Sequence, residues 1–314
     1  MPAHSVLLAT EKPFAGPAVA QIDDVLKHAG YTLEKLENYK DVGELKTALA
    51  KSEAAIVRSD KMTAEIMDAC KDSLKLIVRA GAGVDTIDLN AATERGMVVM
   101  NTPGQNSNAV AELAFGMMIT QIRNHYDGSS GYELKGKTLA LHGFGQVARN
   151  MFRLAKGFEM KVLAYDPFLK KEDIESAGAV PVGSVAELFD ANFVSLHIPC
   201  TPETKESIGK DFLLKMPKNG VLVNTARAEV VHEAGLLEAF AERADLSYIS
   251  DVAPTFDMEQ LNASKKRCFV TKKKMGAQTS EANNNAGIAA AKQIVDFFEK
   301  GDVRFQVNKP GQTF

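Results

Sequence analysis

Three cysteines in 314 residues, Cys70, Cys200 and Cys268, are few, odd in number and without paired metal-ligand spacing. This excludes a disulfide framework and a cysteine-built metal site, and it leaves reduced thiols that pack in the core or sit at the surface. No metal is expected. No apolar stretch approaches the length that crosses a bilayer, and the N-terminal MPAHSVLLATEKP lacks a basic segment followed by a long apolar run. The expectation is a cytoplasmic chain with no membrane partner. A formal net charge of −3 offers no broad field for nucleic acid or an acidic membrane. Charge of one sign gathers at one place: Lys265, Lys266, Arg267, Lys272, Lys273 and Lys274 put six positive charges within ten residues. Two readings stand, a solvated surface run and a field that draws in a multiply charged anion.

What the chain has in quantity is apolar side chains, 45% of all residues, enough over 314 residues for two ordinary cores. Short apolar runs at 6–9, 54–57, 76–78 and 98–100 alternate with amphipathic stretches, a pattern that predicts parallel strands joined by helices. The pattern repeats from 138 to 281. An apolar helix at 108–122 joins the two halves. A second long helix at 281–298 follows Thr279 and Ser280, which can cap it, and the segment DVRFQVN after it is expected to rejoin the first half. No other repeat and no low-complexity tract is present.

The stretch KTLALHGFGQVARNMFRLAKGFEMKVLAYDP reads as strand, glycine turn, helix and strand. Gly143 makes the tight turn, Gly145 lets the backbone approach a pyrophosphate, and Ala148 permits close helix–strand packing. The N–H groups at Gln146 and Val147 open the helix toward the anion. Asp166, followed by Pro167 at the end of the second strand, is placed to accept hydrogen bonds from ribose hydroxyls and to repel a 2′-phosphate. NAD is therefore expected rather than NADP.

Four further segments follow in order: SLHIPCTPETK (195–205), VLVNTARAEVV (221–231), LSYISDVAP (246–254) and VTKKKMGAQTSEA (270–282). With AAIVRSD (54–60), LIVRAGAGVDTIDL (76–89) and VMNTPGQNSNAVAELAFGMM (99–118) upstream, the chain resembles the D-2-hydroxyacid dehydrogenase family, and these upstream segments look like those of its phosphoglycerate dehydrogenases. The resemblance implies two doubly wound parallel-sheet α/β domains. A Rossmann nucleotide-binding domain, 103–282, would be inserted into a discontinuous flavodoxin-like substrate domain, 1–102 and 283–314. It also implies further cofactor contacts at His197, Pro199, Thr204, Thr225, Ala226, Asp251 and Gly276, and a homodimer formed through the linking helix. The implied activity is the NAD-dependent oxidation of 3-phosphoglycerate to 3-phosphohydroxypyruvate and its reverse, the first step of serine biosynthesis. A glyoxylate or hydroxypyruvate reductase and a catalytically inactive NAD-binding regulator stay open beside it. Because the chain stops at Phe314, no C-terminal regulatory domain, and hence no serine feedback through one, is expected.

Hydride exchange with a 2-hydroxy acid needs a cation for the carboxylate and the developing carbonyl, and an acid/base for the hydroxyl proton. Arg227, in NTAR, matches the family's catalytic arginine, and its planar fork suits paired oxygens. The family's acid/base is a histidine supported by a glutamate; counting from Gly276 and Asp251 places Lys274 at the first position and Phe256 at the second. A carboxylate would raise a lysine pKa that is already near 10.4, so losing it agrees with using the lysine. Burial against Phe256 and the charges of Arg227, Lys272 and Lys273 are expected to lower it. A dead site is the alternative, and Lys272 or Lys273 could be the residue that points inward. The GAGVD turn can offer the N–H groups of Ala82 and Gly83 to the substrate carboxylate. Arg58, Ser59, Arg79 and Asn106 match substrate positions, two arginines suiting a phosphate, with pairing to local carboxylates as the competing role for either arginine.

Overall fold

The structure, a computed structural model, describes residues 4–255 and 267–309. Phe256, Lys265 and Lys266 lie outside them. Contacts divide the chain into two compact units, 1–106 with 278–314, and 107–277.

The first unit runs β1 (Ser5–Thr10), α1 (Gly16–His28), β2 (Thr32–Glu37), α2 (Val42–Leu49), β3 (Ala54–Val57), α3 (Ala64–Asp68), β4 (Leu76–Arg79), α4 (Leu89–Glu94) and β5 (Val98–Asn101). All strands are parallel, in the order β2-β1-β3-β4-β5. Successive side chains of a strand point to opposite faces, and here both faces are covered. Leu7, Ala9, Ala55, Val57, Ile77 and Val99 pack with Leu45, Leu49 and Ile66, while Val6, Leu8, Ile56 and Val78 pack with Ile22, Leu26, Ala290 and Ile294. That is why these strands read as unbroken apolar runs. The edge strand β2, TLEKLE, has no such run: Leu33 and Leu36 are its packed residues, and Thr32, Glu34 and Lys35 are exposed. It escapes the apolar pattern for that reason.

The long C-terminal helix, Ser280–Lys300, belongs to this unit, and the Thr279 hydroxyl caps it by accepting the Ala282 N–H at 3.1 Å. Beyond it the chain returns to β5. The Val307 N–H donates to the Val99 carbonyl at 2.9 Å, and the buried Asn308 amide accepts the Val99 N–H at 2.8 Å and donates to Met97 O at 2.8 Å.

The second unit begins with α5 (Ser107–Ile122) and continues β6 (Thr138–His142), α6 (Gln146–Gly157), β7 (Lys161–Tyr165), α7 (Lys171–Ala177), β8 (Val180–Pro181), α8 (Val185–Leu188), β9 (Phe193–Leu196), α9 (Lys210–Lys215), β10 (Val221–Asn224), α10 (Glu233–Glu242), β11 (Ser247–Ser250) and β12 (Cys268–Val270). The seven strands are parallel, ordered β12-β11-β10-β9-β6-β7-β8. Strand order reverses between β6 and β9, as it does between β1 and β3 in the first unit. Such reversal points open crevices beyond the C-terminal strand ends, where ligands bind.

Part of the basic run proves structural. Arg267 is 9% exposed, stacks 4.3 Å over the Phe240 ring, and donates to the Phe240, Arg243 and Leu246 carbonyls at 2.9–3.1 Å. The first two are among the carbonyls a helix end leaves without intrahelical partners. Arg267 thus closes α10 and contributes to neither the solvated run nor an attracting field. Lys272, Lys273 and Lys274 are exposed.

Candidate active site

In the second unit the reversal point is built by the turn between β6 and α6. Gly143 has φ +85°, and a Cβ there would stand 2.8 Å from the His197 carbonyl oxygen, so both its conformation and its neighbour require glycine. Its N–H donates to Tyr165 O at 2.8 Å. The next N–H, of Phe144, donates to Asp166 Oδ2 at 2.8 Å, and the Phe168 N–H donates to Oδ1 at 2.9 Å. Two backbone donors therefore fix the carboxylate at the end of β7. Gly145 caps α6, whose first turn holds no acidic residue and receives no side-chain cap. A Cβ on Gly145 would meet no protein atom within 4 Å. The unfilled space over a helix N-terminus with free N–H groups fits a pyrophosphate, and the fixed carboxylate fits a ribose.

Five buried polar atoms along the same strand ends have no hydrogen-bond partner among the described residues: His142 Nδ1, Ser195 Oγ, His197 Nε2, Thr225 Oγ1 and Asp251 Oδ1. Buried polar atoms are nearly always paired in folded proteins, so this concentration marks a place where a polar ligand completes the set. Burial pushes the His142 pKa down to about 4, against the pull of Asp166; burial and the neighbouring His142 push His197 down to about 3. Both rings are neutral near pH 7. Thr204 has a different employment: its hydroxyl donates to Pro199 O at 2.6 Å and accepts the Thr201 N–H at 2.8 Å, closing the loop after β9.

Arg227 and Lys274 meet at one atom. Arg227 Nη1 donates to the Ala226 carbonyl at 2.9 Å and Lys274 Nζ approaches the same oxygen at 3.4 Å. Two cations thus meet on one peptide oxygen, Arg227 half-buried and Lys274 exposed. Asp251, 1% exposed, lies beneath it, with Oδ2 accepting the Gly276 N–H at 2.7 Å. Burial raises its pKa, while the Gly276 N–H and the charges of Lys274 and Arg227 pull it down. Lys274 is exposed as a residue and has the carboxylate of Asp251 in its field. Phe256, expected to bury its ammonium, lies outside the described residues.

Sequence reasoning missed the clamp that shapes this place. Asn224 and Ser250 are 0% exposed. Asn224 Oδ1 accepts the Ala226 N–H at 3.0 Å and its Nδ2 donates to Arg227 O at 2.8 Å and Tyr248 Oη at 3.3 Å. The Ser250 hydroxyl lies 2.8 Å from Asn224 O and 2.9 Å from Val252 O, and accepts the Val252 N–H at 3.0 Å. The amide turns the chain so that the Ala226 carbonyl faces both cations. The asparagine of NTAR was the available signal.

In the first unit Arg58 directly follows β3. Nη1 donates to Lys12 O at 3.0 Å and Pro13 O at 3.2 Å, Nη2 donates to Asn283 Oδ1 at 2.7 Å, and the fork lies 4.7 Å over the Phe14 ring. Arg79, the last residue of β4, donates through Nε to Arg58 O at 3.0 Å. Its guanidinium occupies the place a Cβ on Gly81 would take, and Gly81 has φ +146°. The arginine is thereby folded over the glycine turn. The Ala82 and Gly83 N–H groups of that turn have no backbone acceptor among the described residues, and Asn101 Nδ2 holds the turn at Ala82 O, 2.6 Å. Ser59 is exposed and Asn106 half-buried at the end of the unit. Asp60, buried and unremarked in the sequence, accepts the N–H groups of Arg58 and Glu11 and the Tyr39 hydroxyl at 2.8–3.0 Å, tying the loops after β1 and β3 together.

Comparison with known proteins agrees with this arrangement. Residues 110–272 match the D-isomer specific 2-hydroxyacid dehydrogenase, NAD binding domain. A crystal structure of cofactor (NAD+) bound 3-phosphoglycerate dehydrogenase in Entamoeba histolytica is 45% identical, with 98% of this chain and 99% of that chain covered and a TM-score of 0.86. The D-3-phosphoglycerate dehydrogenase of Methanocaldococcus jannaschii is 36% identical over 293 residues, 87% of this chain and 53% of that protein. The hydroxypyruvate reductase of Thermotoga maritima is 34% identical over 281 residues, 83% of this chain and 90% of that protein. The chain thus spans about half the length of the phosphoglycerate dehydrogenase relatives found in Methanocaldococcus and Archaeoglobus, 53% of each. With its NAD-binding domain between two stretches of a second parallel-sheet unit, the chain belongs to the D-isomer specific 2-hydroxyacid dehydrogenase family.

Proposed function

We propose that the chain oxidises 3-phosphoglycerate to 3-phosphohydroxypyruvate with NAD, and runs the reverse reduction, as the entry to serine biosynthesis. Arg58 carries this reading. It is a half-buried guanidinium at the reversal point of the first unit, held by two carbonyls and an amide, with Arg79 bonded to its own carbonyl. Two cations suit a phosphate dianion. A reductase of unphosphorylated acids would have no use for them.

The Gly143–Val147 turn and Asp166 hold the dinucleotide, and the unpaired buried atoms at Thr225 and Asp251 complete its contacts; bound there, NAD supplies the hydride acceptor. Asp166 selects against a 2′-phosphate. The Ala82 and Gly83 N–H groups are donors suited to an anion, and the Arg227 fork is suited to a carboxylate oxygen together with the oxygen at C2. Stabilising charge at C2 oxygen as the carbonyl changes order is the arginine's contribution to rate. Lys274, on the same carbonyl as Arg227, takes the C2 hydroxyl proton as its neutral amine in oxidation and returns it as the ammonium in reduction. A second copy of the chain is the expected partner.

Two relatives named for reductase activity, hydroxypyruvate reductase at 34% identity and glyoxylate reductase at 32%, favour a second reading in which the natural acid is unphosphorylated. The deciding experiment is reduction by NADH of 3-phosphohydroxypyruvate, hydroxypyruvate and glyoxylate, compared as kcat/KM. A clear preference for the phosphorylated acid is expected. Equal or better use of hydroxypyruvate selects the reductase, and no hydride transfer to any of them selects a non-catalytic NAD binder.

A further inference from the structure

Three arginines of this protein are neutralised where they stand. Arg95 pairs with Asp68 at 2.9 Å, Arg243 with Asp245 at 2.8 Å and Arg304 with Asp302 at 2.7 Å. Arg58 differs in the chemistry of its acceptors. Lys12 O, Pro13 O and Asn283 Oδ1 are all neutral, and the ring of Phe14 covers one face of the fork. The carboxylate nearest in sequence, Asp60, uses its oxygens on the N–H groups of Arg58 and Glu11 and on the Tyr39 hydroxyl, not on the guanidinium. Burial accordingly lowers the Arg58 pKa, with Asp60 opposing through charge alone.

A guanidinium has five N–H donors. Three are taken by these neutral oxygens, which leaves the Nε–H and the second Nη2–H without a protein acceptor among the described residues. The fork is therefore oriented without being discharged. It also stands in the right place: Arg58 directly follows β3, and Lys12 to Phe14 follow β1, the two strands between which the order of this sheet reverses. Of the three neutral acceptors two are main-chain carbonyls, which mutation of side chains leaves alone. The third is a side chain whose acidic counterpart, aspartate, has the same shape and a full negative charge.

We propose that Asn283, in the first turn of the long C-terminal helix, is a specificity-determining residue for a phosphorylated 2-hydroxy acid, because its neutral amide orients the Arg58 fork while leaving its charge for a phosphate dianion. This inference rests on the phosphorylated-substrate reading above. A carboxylate at 283 would accept the same Nη2–H, cancel the charge of Arg58, and repel the phosphate. It would not harm the fold, since an acidic residue in a helix's first turn interacts favourably with the helix dipole and gains an ion pair with Arg58.

The test uses the full chain as wild type, Asn283→Asp, Asn283→Gln and Arg58→Gln. KM is measured for 3-phosphohydroxypyruvate and for hydroxypyruvate with saturating NADH, inorganic phosphate serves as a competing anion, and thermal melts report the fold. Asn283→Asp is expected to raise KM for the phosphorylated acid about tenfold or more, to move KM for hydroxypyruvate less than about twofold, to weaken inhibition by phosphate, and to leave Tm unchanged or higher. Asn283→Gln, which keeps the amide, should retain part of the preference that Asn283→Asp loses. If Asn283→Asp keeps the wild-type preference, or loses both substrates equally along with Tm, the specificity role of Asn283 is overturned while the activity stands. If the wild type itself shows no preference for the phosphorylated acid, the underlying reading fails and this inference with it.

Discussion

At the end of β6 the NAD-binding unit presents main-chain N–H groups at an uncapped helix start, whereas at the ends of β3 and β4 the other unit presents two guanidinium groups folded against carbonyls and a glycine turn. Both edges are built on parallel sheets with a reversal of strand order, and the function proposed above puts an anion at each. The difference lies in charge density. A pyrophosphate diester spreads its charge and is held by many partial charges on a fixed backbone. A phosphate monoester dianion concentrates its charge, and cations on side chains answer it better. The first device depends on glycine and tolerates little backbone change; the second depends on which neutral groups hold the arginine.

The largest expected effect falls on the proton-transfer group. Lys274→Ala should lower turnover about 10²-fold or more while leaving NADH affinity nearly intact, since acid/base catalysis contributes on that scale. Steady-state kinetics beside NADH titration checks this. Full turnover in Lys274→Ala with loss in Lys273→Ala would move the role by one residue.

Next come the two glycines of the backbone device, which should separate. Gly145→Ala meets no protein atom, so Tm should change by little, yet NADH affinity should fall about tenfold or more as the methyl group enters the pyrophosphate space. Gly143→Ala meets His197 O and an unfavourable φ, and should cost roughly 1–3 kcal/mol of folding stability. Equal behaviour of the two in melts and titrations would remove the distinction.

On cofactor choice, Asp166→Ala should weaken NAD binding and narrow the gap to NADP, because the acceptor and the repelling charge leave together. An unchanged NAD-to-NADP ratio of kcat/KM would take Asp166 out of that role.

The smallest effect near neutrality is a pH dependence of stability. His142 and His197 have folded pKa values of about 4 and about 3, below the unfolded value near 6.5. Above pH 6.5 neither state binds the proton and they are silent. Between about 6.5 and 4 the unfolded chain binds more protons than the folded one, so stability falls as pH falls, by about 1.4 kcal/mol per pH unit for each fully titrating ring. Denaturant melts of wild type and His142→Gln across this window should converge toward low pH.

Much of this molecule is legible along the chain where a local pattern has a local cause. The strand at Ala54–Val57 is buried on both faces and therefore uniformly apolar; the helix after Thr279 announces its cap; the glycine fingerprint states its turn. Legibility stops where the cause is a distant partner. Strand β2 carries Glu and Lys because it lies at a sheet edge. Arg267 reads as one charge in a basic run, yet it is buried as the stopper of α10. Asn224 and Ser250, 26 positions apart, are unremarkable alone and form one clamp when β10 pairs with β11.

By itself the amino-acid sequence determined the alternation of strand and helix, the dinucleotide turn and the presence of Arg227 and Lys274, because periodicity, glycine conformation and residue chemistry act over a few neighbours. Tertiary structure alone decided that Arg227 and Lys274 share the Ala226 carbonyl, that Asp251 lies within their field, and that Arg58 keeps its charge among neutral acceptors. These depend on which atoms the parallel sheets bring to their C-terminal edges. Hydrogen bonds and charges act across space at distances that sequence separation does not report.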